Sequence, residues 1–187
     1  MKYIKDQKLS NLVLHARKVV SDEICDRVLE DTKKFEWRRG TFYNYGKSVD
    51  AAYDKNSILD QQIIEDLEFR AVIEQWQPRY LEKIGYVPSL KKFTNPKVNR
   101  YQLGGHMRQH VDHIHSIFDG ELKGIPIMTT VGLLNDDFEG GEFCLWDEYI
   151  PDLKKGDILA FPSVFLYPHQ VKEVTKGIRY SWISWWY

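Results

Sequence analysis

Cysteine is scarce in this chain. Cys25 and Cys144 are the only two, with no C-x-x-C between them, so a disulfide framework is not expected and buried, idle thiols are the default. Long apolar runs are missing as well. None approaches the ~20 residues of a membrane-spanning helix, and the opening MKYIKDQKLSN lacks the apolar core of a signal peptide. The expected setting is therefore intracellular, in the cytoplasm, with no membrane partner. An excess of either charge is absent too: 26 Lys and Arg against 27 Asp and Glu leave a net charge of -1. That balance gives no electrostatic footprint for nucleic acid, although local patches stay open. There is no internal repeat, low-complexity tract or linker. What is present is ordinary for one globular domain: 187 residues, 43% hydrophobic and 28% charged.

The first 95 residues read as helices and strands in support of something else. Leu12 to Val20 alternates enough for a strand, and Ser21 reads as the N-cap of a helix to about Phe35, with Asp22 and Glu23 in its first turn. Ile24, Val28 and Leu29 give that helix an apolar side. His15 reads as a surface or packing residue. Glu36 to Tyr45 is rich in strand-forming aromatics. Gly40 to Asn56 has three tyrosines, two glycines and little periodicity. It is either a binding loop or lid, with Tyr43 and Tyr45 facing a substrate, or a surface connection whose tyrosines pack locally. Ser57 to Ile84 reads as a second helical region, with Phe69, Ile73, Trp76, Tyr80 and Ile84 as its stripe. Pro78 should interrupt or kink it, and Gly85 with Pro88 should end it.

Beyond Pro96 the texture changes to short strands between turn signals: Val98 to Gln102, Met107 to Asp112, Pro126 to Leu134, Glu142 to Trp146, Asp157 to Phe161, His169 to Val174 and Arg179 to Trp186. This spacing suggests a two-sheet jelly roll. The expected class is α+β, mainly β: a single domain over 1–187, with 1–95 as helical and strand support and 96–187 as a jelly-roll core.

Within that core, His110 and Asp112 lie two residues apart in NRYQLGGHMRQHVDH. In an extended chain both point to one face and offer an imidazole nitrogen and a carboxylate oxygen to one point. An H-x-D triplet is cheap by itself, and an exposed strand could carry it with no ligand. His169, 57 residues after Asp112, supplies a second imidazole. Two neutral imidazoles and one carboxylate make the facial set that leaves up to three positions open on Fe(II). Arg179, ten residues beyond His169, shares strand parity with Ser181, Ile183 and Trp185. A buried guanidinium keeps its charge and asks for an anionic ligand. His106, His113 and His115 crowd the motif, and His113 has the wrong parity to join His110. With Arg108, they are candidates for supporting or substrate-side contacts, against plain solvent exposure.

Several spaced motifs in order resemble the iron(II)- and 2-oxoglutarate-dependent dioxygenases, in the prolyl 4-hydroxylase-like, PKHD-type branch. Tyr101, Gly104, His110 and Asp112 match the run Y-x-x-G-x-x-x-x-x-H-x-D. Thr129 to Asn135 with Gly140 and Gly141 match the central strand and its Gly-Gly turn. Lys155, Gly156, Asp157, Phe161 and Pro162 match "kkGd…Fp", and His169, Val171, Val174, Thr175, Gly177, Arg179 and Tyr180 match "H-x-V-x-x-V-T-x-G-x-R-y". The likeness is dense over about 95 to 187 and loose before it.

The resemblance implies a double-stranded β-helix with its metal between the sheets. Fe(II) would sit on His110, Asp112 and His169. 2-Oxoglutarate would be gripped at its distal carboxylate by Arg179 and Ser181, in a pocket lined by Tyr101, Thr129, Val131, Leu133 and Trp185, with ascorbate as a candidate accessory cofactor. The implied reaction is hydroxylation of an aliphatic carbon, foremost prolyl 4-hydroxylation of a peptide or protein bearing proline. A free amino acid or other small molecule is the alternative substrate, and a non-catalytic jelly-roll binding module the alternative of another class. Leu133 stands where prolyl hydroxylases acting on transcription factors often carry a tyrosine for the distal carboxylate, and Met107 where an aromatic is usual. Nucleic-acid demethylases of the superfamily usually carry a second arginine where Trp185 stands, and iron halogenases lack the carboxylate that Asp112 provides.

Overall fold

The strand Arg179–Trp186 alternates between two sets of side chains, and that alternation decides where the two cores lie. The computed structural model describes residues 8–39, 41–44, 47–50, 57–85, 93–112 and 126–187. In chain order, a 3-10 turn (Leu9–Leu12) leads to β1 (Leu14–Ala16), α1 (Asp22–Thr32), β2 (Arg38–Arg39), β3 (Thr41–Asn44), β4 (Lys47–Asp50), β5 (Ser57–Ile58), β6 (Asp60–Ile63) and α2 (Leu67–Ile84). Then follow β7 (Lys97–Tyr101), β8 (His106–His110), β9 (Met128–Leu133), β10 (Glu139–Gly140), β11 (Phe143–Leu145), β12 (Ile158–Pro162), β13 (His169–Val171), β14 (Val174–Lys176) and β15 (Arg179–Trp186). A seven-stranded sheet runs β1-β12-β9-β15-β7-β6-β2, and a four-stranded sheet runs β11-β13-β8-β5. Two pairs, β10-β14 and β3-β4, complete the set. This is the jelly roll that the strand spacing suggested, braced by two helices.

The larger sheet is buried on both faces, so β9 is buried at every position and β12 at all but its last. Trp182 and Trp186 of β15 point to one side, into a cluster with Ile24 and Val28 of α1 and Phe69, Ile73, Trp76 and Tyr80 of α2. Ile183 points the other way, into a cluster with Val131, Leu159, Phe161, Phe143 and Val171 that fills the space between the sheets. Trp182 is fully buried, meets Phe69 edge-on with ring centres 5.3 Å apart, and lies opposite Gly132 in the ladder. A side chain at Gly132 would put its Cβ 2.5 Å from the Trp182 indole nitrogen, so only glycine admits that indole.

Several elements differ from the expectations, each for a local reason. The predicted strand over 12–20 shrinks to β1, paired with β12. The first helix begins as expected, with Ser21 Oγ accepting from the Ile24 amide, but ends at Thr32. Its next three amides bond back three residues, to Glu30, Asp31 and Thr32, which tightens the chain out of the α-helix. Ser57 to Ile63 is not helical: β6 pairs with β7 over Asp60–Ile63, a tertiary partner that outweighs local propensity. The helix proper starts at Leu67, where Asp66 accepts from the Phe69 amide, and ends at Gly85 in the left-handed conformation. Pro78 does not interrupt it; its exposed position leaves the ring in solvent and the helix runs on to Ile84. Within the irregular stretch over 40–56, β3 pairs antiparallel with β4. The strand predicted over His169 to Val174 divides in two, because β13 pairs with β8 while β14 pairs with β10. Among the described residues no helix is long and apolar enough to cross a membrane.

Asp157 ties the start of the chain to the jelly roll. Its side chain is out of solvent, and its carboxylate accepts from His15 Nε2 (2.9 Å), Arg17 Nη1 (2.9 Å) and the amides of Lys18 and Lys154 (both 3.0 Å). His15 is thus a packing residue with a specific partner. Burial alone would raise the Asp157 pKa; these donors outweigh it and hold the carboxyl below the ordinary range. A depressed carboxylate stabilises the fold above its unfolded pKa of 3.8 and loses that contribution as pH falls through the lower folded value. Asp157→Ala should cost roughly 3 kcal/mol at neutral pH, the low end for stranding the partners of a buried charge because half-exposed Arg17 can turn to water. In urea titrations from pH 7 to pH 2, the wild type should lose that advantage over the variant at the acid end; a constant gap would exclude the role.

Candidate metal centre and anion clamp

Antiparallel pairing of β13 with β8 sets His169 opposite His110. The next pair in the register is Val171 with Met107, so two residues of β8 stand against one of β13, which is a β-bulge. Without it, strict alternation would put Met107 and His110 on opposite faces. With it, Met107 joins the inter-sheet core while His110 turns to His169, their rings 4.3 Å apart. Asp112 follows just beyond the strand end. One ligand atom each from His110, Asp112 and His169 lies within 4.8 Å of the others. His110 Nε2 is 3.5 Å from Asp112 Oδ1, and His169 Nε2 is 3.7 Å from Asp112 Oδ2.

The backbone chooses which ring nitrogens face inward. His110 Nδ1 lies 2.9 Å from the Arg108 carbonyl and His169 Nδ1 lies 3.1 Å from the Tyr167 carbonyl. Each Nδ1 therefore carries the proton it donates, which leaves each Nε2 as the ring nitrogen turned towards the carboxylate and open to a cation. Two ring nitrogens and a carboxylate facing one another make a set that fits a divalent cation. His169 is held between Phe143, stacked at 5.3 Å, and Phe161, edge-on at 5.0 Å. Burial, then the charge of His110, pushes its imidazole down to about 4, so it is neutral at physiological pH. Burial works against charge at His110 too, but the Asp112 carboxylate beside it wins and raises its pKa. Asp112 is pushed up by burial and pulled down further by His169 and His110, leaving it far below the ordinary range.

Arg179 opens β15 on the same face of the large sheet as Ser181, Ile183 and Trp185. It is 3% exposed, and among the described residues no carboxylate pairs with it. Its Nη1 donates to Ser181 Oγ at 2.6 Å, its Cζ lies 5.0 Å from the centre of the Tyr101 ring, and its Nε has no partner among the described residues. Burial pushes its pKa down, the signature of a charge that would gain from a counter-ion. Gly141, with φ +65°, makes room for it: a Cβ there would meet Arg179 Cδ at 2.8 Å. Beside the guanidinium lies a cavity of about 360 Å3, lined by Leu133, Phe138, Gly141, Phe143 and Lys154 among others; none of the three metal-ligand candidates lines it.

The remaining expected site residues fall in different places. Tyr101 and Val131 are buried between the sheets, half-buried Trp185 packs against the same cluster, and buried Leu133 lines the cavity beside Arg179. The Trp185 indole helps keep the Asp112 carboxyl ionised, yet its Nε1 makes no well-formed hydrogen bond. The Thr129 hydroxyl donates to Asp112 Oδ2 at 2.7 Å. Arg108 is exposed, and half-buried His106 turns its Nδ1 to the Gly104 carbonyl at 2.9 Å. Tyr45, His113, His115 and the side chain of Tyr43 lie outside the described residues. Sequence reasoning missed Ser163, 2.8 Å from Thr129 Oγ1, and the aromatic pair that grips His169. Phe161 and Pro162 stood in a recognised motif, but nothing in it marked the next residue.

Comparison with known proteins gives a consistent answer. Residues 96–187 match the 2OG-Fe(II) oxygenase superfamily. A PKHD-type hydroxylase of Gluconobacter oxydans is 33% identical over 188 aligned residues, covering 93% of this chain and 77% of that protein. One from Idiomarina loihiensis is 38% identical over 98 residues, 51% of this chain, but the match spans only 43% of that protein's length. Among solved structures, the prolyl hydroxylase of Trichoplax adhaerens bound to a hypoxia inducible factor peptide fragment shares the fold with a TM-score of 0.71 at 18% identity, covering 95% of this chain and 84% of that one. A collagen prolyl hydroxylase of Paramecium bursaria Chlorella virus-1, in complex with 2OG, gives 0.68 at 16%, covering 94% and 95%.

Arg179→Ala should weaken 2-oxoglutarate by about 3–5 kcal/mol, the scale for removing one member of a buried charge pair. Arg179→Lys should recover only part, because the planar fork is lost. Calorimetric titration of 2-oxoglutarate into the Mn(II)-loaded protein checks both; unchanged affinity in the two variants would take Arg179 out of the clamp.

Proposed function

The chain belongs to the PKHD-type hydroxylases of the 2OG-Fe(II) oxygenase superfamily, and from that premise we propose that it hydroxylates an aliphatic carbon, at C4 of proline in a peptide or protein. The observation that carries this reading is the pairing of one convergent triad with one buried guanidinium that has no carboxylate among the described residues. His110, Asp112 and His169 would hold Fe(II) through two imidazole nitrogens and a carboxylate oxygen. Arg179, steadied by Ser181, would receive the distal carboxylate of 2-oxoglutarate, and Tyr101 and Leu133 would wall the space it occupies. When bound, the iron and 2-oxoglutarate supply the oxidation, with succinate and carbon dioxide as co-products. The protein's part is to bind, orient and keep water out, and the apolar wall of Val131, Ile183 and Trp185 strengthens the charge-assisted clamp.

Proline in a polypeptide is favoured by two supports: the motif order over 95 to 187, and the fold shared with enzymes that act on prolyl substrates. A single domain over the whole chain belongs to the same reading, since α1 and α2 share one core with the large sheet.

The test incubates iron-loaded protein with 2-oxoglutarate and proline-containing peptides. The expected result is succinate formation with one oxygen atom gained on proline, and loss of both in Asp112→Ala. Oxygen gained only on free amino acids would move the substrate to the small-molecule class. No succinate under any condition would leave a binding module, and full turnover in Asp112→Ala would exclude the triad.

A further inference from the structure

The metal-side carboxylate stands just past the end of β8, on the smaller sheet, yet its tightest contact comes from the other sheet. Thr129 of β9 donates to Asp112 Oδ2 at 2.7 Å, and Ser163, one residue beyond β12, lies 2.8 Å from the same Thr129 oxygen. Thr129 is 0% exposed, Ser163 1% and Asp112 7%, so water does not compete for these bonds. A hydroxyl has one proton. An ionised carboxylate only accepts, so the Thr129 proton goes to Asp112 and the Thr129 oxygen must accept from Ser163. The direction is thereby fixed: Ser163 to Thr129 to Asp112 Oδ2. Each donor in such a chain polarises the next.

We propose that Thr129 and Ser163 form a positioning pair that holds Asp112 as a one-oxygen metal ligand. This rests on the metal-centre reading above. Thr129 engages Oδ2 and pins the carboxylate plane to the large sheet, which leaves Oδ1, the oxygen nearer His110, as the donor to the cation. A carboxylate free to turn would offer both oxygens and take one of the positions that a chelating cosubstrate and dioxygen need. Ser163 acts only through Thr129: it fixes the hydroxyl rotor so that its proton faces the carboxylate. Neither residue touches the cation.

Co(II) titration of the metal-free protein, followed by visible absorption and by heat denaturation, tests this without any turnover. Thr129→Val keeps the shape and removes the donor. It should weaken Co(II) about 10- to 100-fold, the range for losing an outer hydrogen bond to a metal ligand, and alter the Co(II) spectrum. Thr129→Ser, which restores a hydroxyl, should rescue both. Ser163→Ala should lose less, and adding it to Thr129→Val should cost nothing more in Co(II) affinity, because the relay is already cut. A role confined to folding would lower the melting temperature of the metal-free protein and leave the spectrum of the bound Co(II) unchanged, which overturns the proposal. Additive losses of affinity in the double variant, or a Co(II)-bound crystal structure with the cation on the oxygen that Thr129 holds, overturn it as well. If wild type binds Co(II) and Thr129→Val binds it equally well, only this inference falls. If wild type takes up no Co(II), the metal centre falls with it.

Discussion

A carboxylate buried between two sheets and facing two imidazoles is the contact on which the rest of this structure turns. Asp112 is deeply buried, and burial alone would neutralise it. The two imidazoles and the Thr129 hydroxyl reverse that and keep it an anion. Its partners come from β8, β9 and β13, so one charge couples both layers of the jelly roll. The layers must be in register for it to be satisfied, and the bulge in β8 is the local adjustment that lets His110 reach it without pulling Met107 out of the core.

The guanidinium of Arg179 is the complementary case. The fold buries it with one hydroxyl and the rings of Tyr101 and Phe138 for company and, among the described residues, no carboxylate, which leaves the charge under-compensated. Burying a lone cation is costly, and such a cost is retained where a ligand relieves it. Gly141 shows that the arrangement is built in: the backbone there adopts a conformation that disfavours other residues, and the missing side chain is what lets the arginine stem pass.

Neither α1 nor α2 supplies a residue of the triad or of the Arg179–Ser181 pair, but both set the face on which these groups lie. By covering one side of the large sheet with Phe69, Ile73, Trp76 and Tyr80, they leave the other side as the one that can line a site. Asp157 extends the bracing to the start of the chain through His15, Arg17 and Lys18. The conformity of so many levels, from caps to strand parity to the polar contacts between sheets, is what specifies one structure.

Residue types, order and local period were enough to foresee the triad, the parity of β15 and the jelly-roll class, because ligand chemistry and two-residue alternation are properties of the chain itself. Ser21 as a cap and the stripe on α2 were legible for the same reason. The partition of Ser57 to Ile63 into strands, the division of β13 from β14 and the bulge in β8 were not, since each depends on which strand lies alongside. The job of Thr129 and the presence of Ser163 were equally hidden: hydroxyls have no period and no fixed spacing from the carboxylate they serve. The amino-acid sequence by itself determined which groups could bind a metal and an anion; only the packing of one sheet on the other decided which oxygen, which ring nitrogen and which neighbour would face them, because those choices are made by contacts between segments far apart in the chain.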